Sequence, residues 1–395
     1  MDAPEPTETT TETTTTETTE TTETAAATEA AAGTGGTEAA ADWEFPPFYC
    51  PLEGAVHPGA EEAERRALAW VDRMGFCRTP AQRAWVEGTR SADFFARFAP
   101  RSDPERLWLG SAWVYWGFAF DDNRCDEGEF SEDPAAFAAM AGRVQRALER
   151  PGTCRFDDPY AAAVHDLGER FRACASPVQV HRLIAAHRAW LWGVQWQIGN
   201  RARGLMPHLD DYLTMRLHSA GGEPPYALVE LAGPEVPARE MDSPAVRALT
   251  EMAILVAALD NDRHSIAKEL RRGQTEQNVF TVLVHRHGRS VRQAVRDAVA
   301  LRDKVLCRFL ALRAKVAPRA SRELAGYLAD LGHGIRGNAE WGLLVPRYLS
   351  LRTAEQGPGE VTPPDAVEWA ARPLDTGRRP PPLPSLAWWW DDLGL

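Results

Sequence analysis

Three observations on the sequence predict an all-α fold. From Trp43 to about residue 352 the chain is rich in Ala, Leu, Arg and Glu, with apolar residues at spacings of three and four. Helix-start signals precede several of these runs. The two-residue alternation that marks half-buried strands is almost absent. The runs predict ten or more helices and no internal repeat.

The individual runs justify this reading in order. In "EEAERRALAWVDRMGF", Ala63, Ala67 and Trp70 share a face and Gly75 ends the run. "DPAAFAAMAGRVQRALER" and "SPVQVHRLIAAHRAWLWGVQWQ" open on Asp133 and Ser176, whose side-chain oxygens can accept from free first-turn amides. Pro134 and Pro177 follow, at the position where a missing N–H costs nothing. "SVRQAVRDAVALRDKVLCRFLALRAKV" reads as a further helix. "EMAILVAAL" is apolar nearly throughout, so the helix containing it begins deeply buried.

Composition divides the chain into three parts. Residues 1–42 contain no large apolar side chain after Met1 and cannot offset the entropy of ordering, which predicts a disordered leader. Residues 43–352 form the helical domain. Residues 353–395 are Pro-rich, with a short helix expected around 364–371, and read as a flexible tail; Trp388–Trp390 offer the alternative of docking on the domain or on a partner. The leader holds ten of the 56 acidic residues and none of the 44 Lys and Arg, leaving 46 acids against 44 bases elsewhere. The formal charge of −12 therefore belongs largely to the leader, and no basic field favours nucleic acid. No apolar run reaches spanning length, and the N-terminus lacks the basic start and apolar stretch of a secretory signal. Six scattered cysteines without a CxxC pair fit free thiols in a reducing cytoplasm.

Two polar clusters interrupt the apolar pattern. "WVYWGFAFDDNRCDEGEF" places Asp121, Asp122, Asp126 and Glu127 directly after an aromatic run, with Asp122 and Asp126 four apart on one helix face. Clustered carboxylates repel one another unless a cation sits between them, so the cluster is either a hard-cation site or a solvated helix end. In "ALDNDRHSIAKEL", Asn261, Ser265 and Glu269 stand at successive spacings of four, with Lys268 beside the Glu. One helix stripe then carries amide, hydroxyl and carboxylate oxygens. It fits either the polar face of an amphipathic helix or a second cation site at a cavity mouth.

These two segments resemble the metal-binding motifs of bacterial class I terpene synthases. That family pairs an aspartate-rich motif with an Asn-Ser-Glu triad written N-D-x-x-S-x-x-x-E. "NDRHSIAKE" matches the triad in full, and "DDNRCDE" is the variant with three intervening residues. Two further segments fit. "YLTMRLHSAGGEPP" supplies Arg216, 45 positions before Asn261, and "GNAEWGLLVPRYLS" supplies Arg347 and Tyr348, 86 positions after it, with Trp341 six before the Arg. The resemblance covers roughly residues 45–350.

The resemblance implies a helical bundle around a central active-site cavity, with three Mg²⁺ ions holding the diphosphate of an isoprenyl substrate. Asp121, Asp122 and Asp126 would serve one metal site and Asn261, Ser265 and Glu269 another. Arg216, Lys268, Arg347 and Tyr348 would donate to phosphate oxygens. Ser219 and Ala220, at the helix break after Arg216, would couple diphosphate binding to ionisation, with Gly221 and Gly222 giving the break its backbone freedom. Phe118 and Trp341 would line the pocket, with Phe94, Phe95 and Trp196 as further candidates; Gly117 would leave room beside Phe118. Farnesyl diphosphate is the default substrate, giving a cyclic sesquiterpene. Geranylgeranyl diphosphate and a methylated geranyl diphosphate are the alternatives. A trans-prenyltransferase would carry a second aspartate-rich motif where this chain has Asn-Ser-Glu. A cytoplasmic enzyme, with a homodimer as one form, completes the expectation.

Overall fold

The computed structural model describes residues 43–153, 155–272, 277–345, 347–348 and 367–394. The expectations for a disordered leader over 1–42 and for residues 353–366 lie outside the described residues. The helices are α1 (Ala60–Met74), α2 (Pro80–Gly88), α3 (Ser91–Phe98), α4 (Pro104–Phe120), α5 (Pro134–Glu149), α6 (Pro159–Cys174) and α7 (Pro177–Ala202). There follow α8 (Leu209–Ser219), α9 (Glu223–Ala232), α10 (Ala238–Met241), α11 (Pro244–Arg272), α12 (Val279–Thr281), α13 (Val291–Val316) and α14 (Arg322–Leu344). Among the described residues there is no β-strand, only one isolated bridge between Phe48 and Trp369. No described helix is long and apolar enough to cross a membrane.

Local chemistry sets the helix ends as the sequence predicts. Gly75 closes α1 in the left-handed conformation at φ 68°. Asp133 caps α5 by accepting from Ala135 and Ala136, and Ser176 opens α7 with a reciprocal capping box to Gln179. Helix α4 is apolar on every side and accordingly buried on every side, packed against α1, α3, α6 and α9. Helix α11 packs against α13, α14 and α8. Glycines permit the closest approaches: a Cβ at Gly337 of α14 would lie 2.5 Å from Arg97 Cβ of α3. One at Gly110 of α4 would penetrate the ring of Phe95. The described cysteines are free thiols.

Residues 367–394 correct the expectation of a flexible tail. They lie against the helical body, and 367–371 form no helix. Leu386 and Trp389 are fully buried. Trp389 Nε1 donates to Glu251 Oε2 at 3.0 Å, and Arg308 Nε donates to the Trp389 carbonyl at 2.8 Å. Ser385 Oγ donates to Asp210 at 2.6 Å, and the Ala370 amide donates to the Phe48 carbonyl at 2.8 Å. Large aromatic area buried by few residues offsets the entropy of fixing them, and the prolines lower that entropy in advance. Trp389→Ala should therefore cost about 3–5 kcal/mol of stability, the range for deleting a buried Trp. Urea unfolding of the full chain measures this, and a change below about 0.5 kcal/mol would return the segment to surface status.

Candidate active site

A cavity of about 730 Å³, counting its open mouth, lies between α3, α4, α7, α9, α11 and α14. Phe94, Phe98, Trp113, Phe118, Trp190, Tyr226 and Trp341 bring aromatic surface to it. Phe118 stacks on Trp341 with ring centres 5.5 Å apart, and Phe94 meets Trp341 edge-on at 5.0 Å. Trp341 is fixed from behind, its Nε1 donating to the Thr89 carbonyl at 3.0 Å. Asp121 and Asn261, from the two polar clusters, both line this cavity.

The aspartate-rich segment leaves α4 as a wide π-type turn over Asp121–Asp126. Asp122 and Asp126 stay close enough to share one partner, Lys268, across this turn. Asp121 feels Asp126 more strongly than Asp122; burial first, then these two neighbours, push its carboxyl up to about 8. Asp122 points elsewhere. It accepts from Arg347 Nη1 and Nη2 at 2.6 and 2.8 Å, from Trp85 Nε1 at 2.9 Å and from Lys268 Nζ at 3.3 Å. Burial alone would raise this carboxyl, but the Arg347 guanidinium outweighs it and holds Asp122 well below the usual carboxylate range. Lys268 also lies 3.6 Å from Asp126.

The facing helix α11 runs unbroken through the Asn-Ser-Glu triad. Ser265 Oγ donates to Glu269 Oε1 at 2.6 Å, and Asn278 donates to Oε2 at 2.8 Å. Burial, reinforced by the nearby Asp262 charge, raises Glu269 to about 7. Asn261 Oδ1 accepts from Arg216 Nη2 at 2.8 Å, and its Nδ2 donates to the Tyr348 hydroxyl at 2.8 Å. Tyr348 in turn stacks on His264, ring centres 5.5 Å apart, and meets Trp341 edge-on at 5.7 Å. Arg216, 45 residues upstream, and Tyr348, 87 downstream, thus meet on one side chain of the triad.

Helix α8 ends at Ser219, and Ala220, Gly221 and Gly222 form the break before α9 while lining the cavity. Gly221 takes φ 68°, the left-handed region that favours glycine. Ser219 Oγ is buried without a hydrogen-bond partner among the described residues.

Two candidates do not reach the cavity. Phe95 faces the opposite side of α3, into the notch at Gly110, and Trp196 packs on the exposed Trp192. The room expected at Gly117 is bounded by Trp113, whose ring would lie 3.3 Å from an added Cβ. Several residues of the site went unread in the sequence. Asp262 accepts from Arg216 Nε at 2.9 Å, from the Tyr212 hydroxyl at 2.7 Å and from the Val279 amide at 3.0 Å. It stands inside the matched motif, but its pairing with Arg216, 46 residues away, has no local signal. Tyr212, one turn before Arg216, carried a readable signal; Trp85 and Trp190 carried none.

Among the described residues no three His, Cys, Asp or Glu side chains converge as a ready ion cage. The donor set nonetheless fits a hard divalent cation. Oxygen ligands of the type Mg²⁺ prefers face one another across the mouth. Asp121 and Glu269 are both raised by burial and neighbouring carboxylates, a strain that positive charge would relieve.

Comparison with known proteins follows the same lines. The profile described as terpene synthase family 2, C-terminal metal binding, matches residues 112–307. Spiroviolene synthase of Streptomyces violens is 56% identical over 356 residues, covering 89% of this chain and 98% of that protein. Phomopsene synthase of Allokutzneria albata is 39% identical, covering 90% of this chain and 99% of its own. The crystal structure of the SVS_A2 protein from ancestral sequence reconstruction, 54% identical, superposes with a TM-score of 0.80 over 88% of this chain and 99% of that one. Likeness at this identity along nearly whole chains makes the chain a member of the bacterial class I terpene synthases, lyases that act on diphosphates.

Proposed function

We propose that this chain ionises geranylgeranyl diphosphate with Mg²⁺ and closes the resulting allylic cation to a cyclic diterpene. The observation that carries the reading is that Asp121 of the π turn and Asn261 of α11 open onto one aromatic-lined cavity. Small residues at Ala220, Gly221, Ala257 and Ala258 line that cavity and support the longer chain. Relatives whose names state a size include a diterpene cyclase at 31% identity and a farnesyl diphosphate cyclizing enzyme at 29%. Farnesyl diphosphate is therefore the second reading, and spiroviolene is the first product to look for.

Asp121, Asp126, Asn261, Ser265 and Glu269 would hold the ions, three by family resemblance, while Asp122 orients Arg347 and Lys268, and bound Mg²⁺ would neutralise the diphosphate and favour its departure. Arg216, Lys268 and Arg347 supply cationic donors to phosphate oxygens, the Arg forks suiting two oxygens at once, and Tyr348 adds a neutral donor. As the allylic C–O bond breaks, its electron pair leaves with the diphosphate oxygen and the positive charge stays on carbon. The rings of Phe118, Trp341, Phe94, Trp113 and Trp190 offer π-faces to that charge, and their apolar packing keeps water from quenching it. Transfer of a proton from the final cation to the departed diphosphate would then end the cascade as a hydrocarbon.

Incubation of the chain with Mg²⁺ and geranylgeranyl, farnesyl or methylated geranyl diphosphate, followed by gas chromatography of the extracts, tests the substrate. A diterpene from the first is expected. Product from farnesyl diphosphate alone would overturn the chain length, and none from any would overturn the activity. Asn261→Ala with Glu269→Ala should abolish turnover at unchanged helical circular dichroism; near-normal product would remove the triad from the site. Arg216→Lys keeps the charge and loses the planar fork, so turnover should fall about ten- to a thousandfold, on the order of 1.4–4 kcal/mol of barrier. Wild-type turnover in that variant would exclude Arg216 from diphosphate binding.

A further inference from the structure

Asn278 lies nine residues beyond Glu269 and outside every motif that the resemblance uses. It is fully buried, and both ends of its carboxamide are engaged. Its Oδ1 accepts from the Phe280 amide at 3.0 Å and so caps α12. Its Nδ2 donates to Glu269 Oε2 at 2.8 Å and to the Asp262 carbonyl at 2.7 Å. A backbone N–H can be met only by the amide oxygen, which fixes the orientation of the side chain: the nitrogen must face Glu269.

Two carboxylates of the mouth are thus held in opposite ways. Asp122 is held by cations, Arg347 and Lys268, which cancel its charge. Glu269 is held by neutral donors, Ser265 on one oxygen and Asn278 on the other. Two hydrogen bonds fix the direction of the Glu269 carboxylate and leave its negative charge in place. A Lys or Arg at 278 would fix it equally well but would compete with any cation for that charge. An apolar residue would leave the carboxylate free to turn.

We propose that Asn278 is a positioning residue of the metal site, aiming the Glu269 carboxylate while keeping its charge available to a divalent cation. The inference rests on the proposed role of Glu269 in holding Mg²⁺. The same side chain joins α12 to the Asn-Ser-Glu segment of α11, so the aim of Glu269 is referred to the fold rather than to its own flexible stem.

Asn278→Ser separates the two roles of the residue. Serine keeps the cap, because its hydroxyl can still accept from the Phe280 amide, but it is too short to reach Glu269. Three quantities are compared in the full-length wild type and variant: melting temperature alone, melting temperature with Mg²⁺ and inorganic diphosphate, and the Mg²⁺ concentration at half-maximal turnover. The expected result is a nearly unchanged ligand-free melt, a smaller ligand-induced shift and a half-saturating Mg²⁺ raised about tenfold or more, the usual cost of removing a ligand's orienting partner. A residue that only capped α12 would leave the Mg²⁺ dependence unmoved. Should the Ser variant unfold, Asn278→Thr carries the same test, its extra methyl filling part of the vacated space. Equal shifts and equal Mg²⁺ half-saturation in a responsive wild type would overturn the inference alone. A wild type with neither turnover nor a Mg²⁺-dependent shift would overturn the proposed function and this inference with it.

Discussion

A buried ion pair between Arg216 and Asp262 organises the mouth of the cavity. It joins α8 to α11, and through the Val279 amide it draws in the start of α12. Taking two charges out of water is costly, and a pair in the interior is tolerable only when its remaining hydrogen-bonding capacity is filled. Here it is: Tyr212 and the Val279 amide meet the second Asp262 oxygen, and Asn261 meets the far end of Arg216. Consequently Arg216 cannot shift without disturbing Asn261, and Asn261 cannot shift without disturbing Tyr348. One network therefore sets the relation between the triad and two of the proposed phosphate donors.

The charge pattern around that network divides the site into two regions. At the mouth, Asp121, Asp122, Asp126, Asp262 and Glu269 outnumber Arg216, Lys268 and Arg347, and the cations already have carboxylate partners. Diphosphate offered to this surface alone finds each of these cations already paired with a carboxylate. Asp121, Asp126 and Glu269 would hold divalent cations, which would offset the carboxylate charge and offer Lewis-acid sites to phosphate oxygens. Below the mouth the lining turns aromatic and apolar. Arg347 marks the boundary, its guanidinium 5.1 Å from the Phe118 ring while its nitrogens face Asp122. Chemistry on the anion and chemistry on the carbocation are thus kept apart by about one helical turn, from Phe118 to Asp121.

Much of this was legible because the site is built on long helices. A stripe such as Asn261, Ser265 and Glu269 survives from sequence to structure when nothing bends α11. The π turn at Asp121 could not be foreseen, because no residue of DDNRCD announces the change from α to π winding, yet Asp122 and Asp126 still meet the same Lys268. Arg347 and Tyr348 were placed by resemblance only, since no local pattern tells that residues 86 apart will meet. Asp262 stands in the quoted motif, but nothing local tells that it pairs with Arg216 of α8, and Trp85 and Trp190 come from other helices. The C-terminal segment misled for a different reason. Its prolines and turns read as loose chain, whereas the burial of Trp389 and Leu386 is decided by the groove they enter, which lies on other parts of the sequence.

The cations at the mouth are matched by carboxylates, so anion binding should depend on divalent metal. Calorimetric titration of the full chain with inorganic diphosphate, once with Mg²⁺ and once with a chelator at equal ionic strength, measures this directly. Binding is expected with Mg²⁺, and none detectable without it. Equal affinity in the two titrations would show that Arg216, Lys268 and Arg347 suffice by themselves, and would contradict this dependence.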